Sequence, residues 1–185
     1  MRLPYVSDPP ATSTPEEADI LSKVQARRAP NGLLPLDRAL LHSFPVTDGW
    51  GAFMGAIRQR TSLSTVIREL VISRVSVLNG AWLEWDVHSA ILAEAGFSDA
   101  ALQVARDENV DVAAKVTEGI LTEAEGAILK YADAMTKTVT VPNEVFEAVK
   151  KHCSDREVVE ITATAAAYNC VSRVLVALDV GEQNR

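Results

Sequence analysis

The chain has 185 residues, 48% of them apolar and 23% charged, the balance of a soluble protein long enough for one real core. Its formal charge of −7 leaves no basic excess to neutralise phosphates, which argues against nucleic acid or an anionic membrane surface as a partner. Neither a run of about 18 apolar residues nor an apolar leader in MRLPYVSDPP is present, so no membrane span or secretory signal is expected. Cys153 and Cys170 are the only cysteines and stand in no metal or redox spacing, which suits a reducing, cytoplasmic setting.

Residues 1–13, with Pro4, Pro9 and Pro10 among small polar side chains, read as an irregular arm that could lie over a neighbour. The remainder, 14–185, reads as one helical domain. Thr14-Pro15-Glu16-Glu17 is a helix start, with a capping hydroxyl, proline at the first position and acids in the first turn. That helix should run to about Arg28, before Pro30-Asn31-Gly32. Leu36–Ser43 reads as a short helix stopped by Pro45. Thr47 or Asp48 is expected to cap the next, through Trp50, Phe53, Met54 and Ile57 to about Arg60. Ser64 opens a strongly apolar central helix, and Asn79-Gly80 breaks it. A further helix starts near Ala81 or Trp82 and ends at Gly96, with Leu83, Val87 and Ile91 expected to pack inward.

Ser98 caps a short helix to about Asp107, and residues 109–119 leave room for another. Thr122 to Glu125 and Ser154 to Glu157 each match a capping box. The first opens a helix carrying Ile128, Tyr131, Ala132 and Met135 at helical spacing. The second opens the longest helix, to about Asp179. Between them Pro142 starts a helix expected to turn Val145, Phe146 and Val149 inward. Val139-Thr140-Val141 is the one β-prone stretch and is too short for a strand. The whole reads as all-α, with about eight to ten helices. The alanines at 163, 165, 166 and 167 fit an interface or an internal seam equally well.

On the helix after Gly80, Glu84 and His88 are spaced i, i+4 and share a face. On spacing alone they read as an exposed surface pair as readily as a site. An imidazole beside a carboxylate can take and give a proton near neutral pH. Glu69 lies in the apolar central helix, either at an exposed edge or buried and therefore in need of a partner. Arg74 could pair with Glu69 or with a substrate carboxylate, or be a plain surface arginine. Asn79 reads as capping its turn. Tyr168 and Arg173 on the last helix could bind an acidic or phenolic ligand, though ordinary packing explains them too. Trp85 could wall a pocket for a flat molecule, and His42 sits at a helix end. Glu84 and His88 could offer a metal two ligands, but no further histidine cluster exists, so no metal is expected.

The stretch REL-x-I-x-x-V-x-x-LNGA-x-x-EW-x-x-H, from Arg68 to His88, resembles the carboxymuconolactone decarboxylase branch of the alkylhydroperoxidase D-like superfamily. The likeness is specific over residues 63–98. It extends more weakly from Leu40-Leu41-His42-Ser43-Phe44-Pro45 to the YNCVSRVLVALDV ending. The peroxidase branch carries Glu, eleven residues, then Cys-x-x-Cys-x-x-x-His; here Glu69 and His88 match its Glu and His, and its two cysteines fall on Ala81 and Glu84. A thiol peroxidase is therefore not implied.

The resemblance implies an all-α, alkylhydroperoxidase D-like helical bundle and a homo-oligomer, a trimer or a hexamer. It also implies a lyase that works without a cofactor, similar to 4-carboxymuconolactone decarboxylase, on a small cyclic or aromatic-derived acid or lactone. Related isomerase, lyase or hydrolase chemistry would use the same equipment, in aromatic breakdown or in secondary metabolism. His88 would move the proton, Glu84 would orient it and Glu69 would complete the relay. Arg74, Arg173, Tyr168, Trp85 and His42 are the candidates for contact with the substrate. The other reading is a non-catalytic oligomeric binding protein that keeps the fold.

Overall fold

The computed structural model describes residues 1–183, which leaves the last two positions of the 14–185 domain expectation outside the described residues. Among these residues there are ten helices and no strand. The architecture is built around α4, Thr65–Leu78. Six of its fourteen residues are Val or Ile, which are poor helix formers in isolation. Burial overrides the propensity: every residue from Glu69 to Val77 is buried. Ser64 caps it by accepting from the Ile67 amide at 3.2 Å.

α5 (Trp82–Glu94), α6 (Asp99–Arg106), α8 (Glu123–Lys137) and α10 (Asp155–Leu178) pack around α4. Gly80, at φ +64°, makes the left-handed turn between α4 and α5 that other residues adopt only with strain. Asn79 does more than cap this turn, because its Nδ2 donates to Asn169 Oδ1 of α10 at 3.1 Å. α10 is long and apolar enough to cross a membrane by length and composition. Here it packs against α3, α4, α8 and α9, and Ile161, Ala165, Tyr168, Val171 and Leu175 are buried along it.

α1 (Pro15–Arg28), α2 (Pro35–Leu40) and α3 (Phe44–Gln59) form a second layer beside this core. Ile20, Leu21, Leu41 and Phe44 make a small apolar cluster of their own there. α7 (Val112–Thr117) and α9 (Asn143–Lys150) both pack on α8. The arm at 1–13 lies over its own chain: the Arg2 amide donates to Leu178 O at 2.7 Å, and Arg38 Nη2 donates to Val6 O at 2.8 Å.

Four expectations are corrected. Pro45 does not stop a helix but lies in the first turn of α3, where its missing N–H costs nothing. Ser43 is the cap of α3, and Thr47 is inside the helix with its hydroxyl donating to Ser43 O at 3.0 Å. Val87 and Ile91 do not enter the core; they are 52% and 36% exposed, and Phe146 is 37% exposed on α9.

Candidate functional site

Glu69 on α4, Glu84 and His88 on α5, Tyr168 on α10 and Arg58 on α3 converge where these four helices meet. The closest partner of His88 is not its helical neighbour. Glu69 Oε2, across the α4–α5 seam, lies 2.6 Å from Nδ1. Glu84 Oε2 lies 3.2 Å from Nε2. That second contact has ion-pair distance without hydrogen-bond direction, and Glu84 Oε2 is buried with no hydrogen-bond donor on it. Arg68 Nε donates to Glu69 Oε1 at 3.0 Å, so both Glu69 oxygens are engaged.

Tyr168 completes the set. Its hydroxyl is 3.3 Å from His88 Nε2, and the two rings meet edge to face with centroids 5.1 Å apart. Arg58 Nε donates to the same hydroxyl at 2.6 Å. The phenol oxygen therefore accepts from Arg58, and its own proton is free for His88 Nε2 when the ring is neutral. When Nε2 is protonated, that N–H has Glu84 Oε2 within reach. Nε2 thus stands between one donor, Tyr168, and one acceptor, Glu84.

The electrostatics follow from these contacts. Burial pulls the His88 pKa down, but the hydrogen bond to Glu69 and the attraction of the Glu69 and Glu84 carboxylates outweigh this, and the net shift is upward. Burial pulls Glu69 up, but His88 and Arg68 outweigh it, and the net shift is downward. An ionised Glu69 can only accept, so Nδ1 carries a proton. Burial pushes the Tyr168 phenol well up, helped by the charges of Glu84 and Glu69 and opposed by Arg58. Tyr168 therefore stays a neutral donor.

His88, Glu69 and Glu84 line a cavity of about 410 Å³, together with Arg28, Arg58 and Arg68. Leu34, Pro35 and Leu36 form its roof at the α1–α2 corner, and Leu83, Val87 and Ile91 its apolar side. This is where the apolar face of α5 goes. It lines a hollow instead of the core.

Of the residues singled out from the sequence, Glu69, Glu84, His88 and Tyr168 come together here. Arg74 does not. It is fully buried, with Nε and Nη2 on Asp133 at 2.5 and 2.9 Å and Nη1 on the carbonyls of Ala105 and Asp107. Arg173 is exposed and turned to Asn169 O and Oδ1. His42 is exposed, with Nε2 2.8 Å from Pro4 O. Trp85 is buried beneath the Arg106 guanidinium, 5.8 Å from the ring centre, and does not line the cavity. Sequence reasoning missed Arg28, Arg58 and Arg68. Arg68 adjoins Glu69 in the same motif and could have been noticed. Arg28 looks like an ordinary cation in the last turn of α1, and nothing local marks Arg58.

Residues 45–121 match the carboxymuconolactone decarboxylase family. The fold is shared with an uncharacterized peroxidase-related protein from Silicibacter sp. TM1040, at TM-score 0.73 and 16% identity, covering 98% of this chain and 94% of that one. The fold of the chain is alkylhydroperoxidase D-like, and the match to the carboxymuconolactone decarboxylase family spans residues 45–121. An AhpD-like protein of unknown function from Agrobacterium tumefaciens is 26% identical at TM-score 0.64, over 75% of this chain and 90% of that chain. A debrominase, Bmp8, as a cysteine-to-alanine variant in complex with 2,3,4-tribromopyrrole, aligns at TM-score 0.68 and 19% identity over 94% of this chain and 91% of that one. No curated protein matches the sequence.

The two positions on which the peroxidase-branch cysteines fall, Ala81 and Glu84, have distinct places here. Ala81 is fully buried at the N-cap of α5, and Glu84 faces His88. Cys153 is buried between α9 and α10 and Cys170 is exposed on α10, neither of them lining the cavity.

Proposed function

We propose that this protein is an acid–base enzyme acting on a small cyclic or aromatic-derived acid or lactone. The reaction is a decarboxylation similar to that of 4-carboxymuconolactone decarboxylase, or closely related lyase, isomerase or hydrolase chemistry. The observation that carries this reading is the buried His88 at the cavity wall, with one carboxylate at each ring nitrogen. Glu69 holds Nδ1–H and fixes the ring. Nε2 is the nitrogen that exchanges a proton with the substrate, and Glu84 and Tyr168 compete for it.

In a decarboxylation the C–CO2 bond breaks and its electron pair stays on carbon, delocalised into the adjoining unsaturated ring. His88 Nε2–H then delivers a proton to that carbon. Arg58 and Arg68 at the cavity wall counter the anionic charge throughout. The apolar wall formed by Leu34, Leu36, Leu83, Val87 and Ile91 suits the body of a small ring. The Bmp8 complex with 2,3,4-tribromopyrrole supports a ligand of that size on this fold.

The test is turnover of a panel of lactone acids, followed by CO2 release and by ring absorbance, in wild type and His88→Gln. Glutamine is polar and similar in reach but exchanges no proton near neutral pH. Losing such help costs about 10²- to 10⁴-fold in rate. Wild-type turnover in His88→Gln would overturn the acid–base reading. The non-catalytic binding protein would then become the better account of the same cavity.

A further inference from the structure

The hollow beside His88 shares part of its lining with a neighbouring cavity. Arg28, Leu36 and Arg58 also border a second, smaller cavity of about 170 Å³ between α1, α2 and α3. Its other walls include Arg27, Asp37, Gly51 and Gly55. Gly51, Gly55 and Arg58 lie along one stripe of α3, and the two glycines leave that stripe bare. A glycine inside a helix costs about 1 kcal/mol relative to alanine, so the bare stripe runs against helix propensity. At Gly51 the reason is visible, since a Cβ there would meet Arg27 Nη1 at 2.7 Å. At Gly55 a Cβ would meet nothing within 4 Å, so the glycine leaves room that no atom of the chain fills.

The residues bordering this lobe are mostly cationic, although Arg58 also feels the charges of Glu84 and Glu69 in the larger cavity. Three guanidinium groups border it and one carboxylate answers them. Asp37, 3% exposed, takes Arg28 at 2.7 and 3.0 Å and Arg27 at 3.3 Å. Among the described residues no carboxylate stands within ion-pair distance of Arg58, whose hydrogen bond goes to the neutral Tyr168 hydroxyl. A confined cationic pocket of this size matches one anionic oxygen group, and guanidinium is the side chain best shaped to receive it.

We infer that the smaller lobe is an anion subsite. It holds the carboxylate or phosphate of an elongated substrate whose apolar body occupies the larger cavity, with the reacting carbon at His88. The inference rests on reading the larger cavity as the substrate site. It adds that the ligand carries a charged group set apart from the reacting centre by a short spacer, with Arg27, Arg28 and Arg58 as the specificity-determining residues.

Binding by isothermal titration calorimetry tests it with three probes of one shape: phenylpropionate, its neutral amide phenylpropanamide, and phenylethyl phosphate. Wild type should bind an anionic probe at least about tenfold more tightly than the amide, the scale of one charge-assisted hydrogen bond. A stronger carboxylate points to an organic acid and a stronger phosphate to a phosphoester. Gly55→Leu, which fills the lobe, should abolish the preference, and thermal unfolding would show that it still folds. Arg27→Gln, which borders this lobe and not the larger cavity, should reduce the preference independently. His88→Gln should keep it, so a failed acid–base reading and a failed subsite give different results. Equal affinities of all three probes for wild type, including no binding at millimolar concentration, would sink the subsite. So would a preference left at full size by both lobe variants.

Discussion

His88 and Glu69 hold each other in opposite charge states, and the consequence can be read in stability against pH. The ordinary values are 6.5 for His88 and 4.5 for Glu69. The folded His88 value is raised, so its contribution is complete below about 6.5 and is lost as pH climbs through the raised value. The folded Glu69 value is lowered, so its contribution is complete above about 4.5 and is lost as pH falls through the lowered value. Both contributions are in place between those two limits. The stability gap between wild type and His88→Gln should therefore be widest at about pH 5.5 and shrink as pH climbs through the raised His88 value. Urea denaturation across a pH series measures it, and a gap that widens on the alkaline side would contradict the pairing. The cysteines give a second expectation at this scale. Burial pushes the Cys153 thiol up, away from thiolate character, and Cys170 is exposed outside the cavity. Replacing both with serine should leave turnover unchanged. Loss of turnover in the folded double variant would bring thiol chemistry back.

At the scale of elements, local signals and long-range meetings were not equally legible. The caps of α1, α4, α6, α8 and α10 stand where Thr14, Ser64, Ser98, Thr122 and Ser154 announce them, because a cap is decided within four residues. Pro45 misled because the same ring ends one helix and fits the first turn of another. The partnership of Glu84 with His88 was visible as helical spacing. That Glu69 is the tighter partner was not, because it depends on how α4 crosses α5. Arg58 meets Tyr168 across 110 positions of sequence, and no periodicity reports such a pair. Arg74 shows the opposite error: an arginine in the motif belongs to the α4–α8 packing and not to the site. Arg74→Leu should cost about 3 kcal/mol, toward the lower end for breaking a buried pair because Asp133 keeps some contact with water. Chemical denaturation of Arg74→Leu and of Arg74→Leu with Asp133→Leu checks this. The double variant should recover part of the loss, and ligand affinity should not move in either.

For the whole molecule, the site is shared between the helices around α4 and the layer of α1, α2 and α3. Glu69 stands on α4, enclosed by four helices, whereas Leu34 to Leu36 belong to a layer held by a small cluster of four buried side chains and, through Ala39, Met54 and Ile57, by the edge of the main core. Native-state hydrogen exchange should resolve the two. Amides of α4 are expected to exchange only through global unfolding, and those of α1 and α2 through a smaller opening of lower free energy. Equal protection in both layers would contradict this. The partial opening has a use. The expected opening of α1 and α2 would admit ligand between Leu36 and Ile91 without loosening the helix that carries Glu69. Entry and exit then report on α1 and α2, while the chemistry reports on α4. A substitution in the small cluster, such as Leu41→Ala, would change how fast ligand comes and goes before it changes what happens to it.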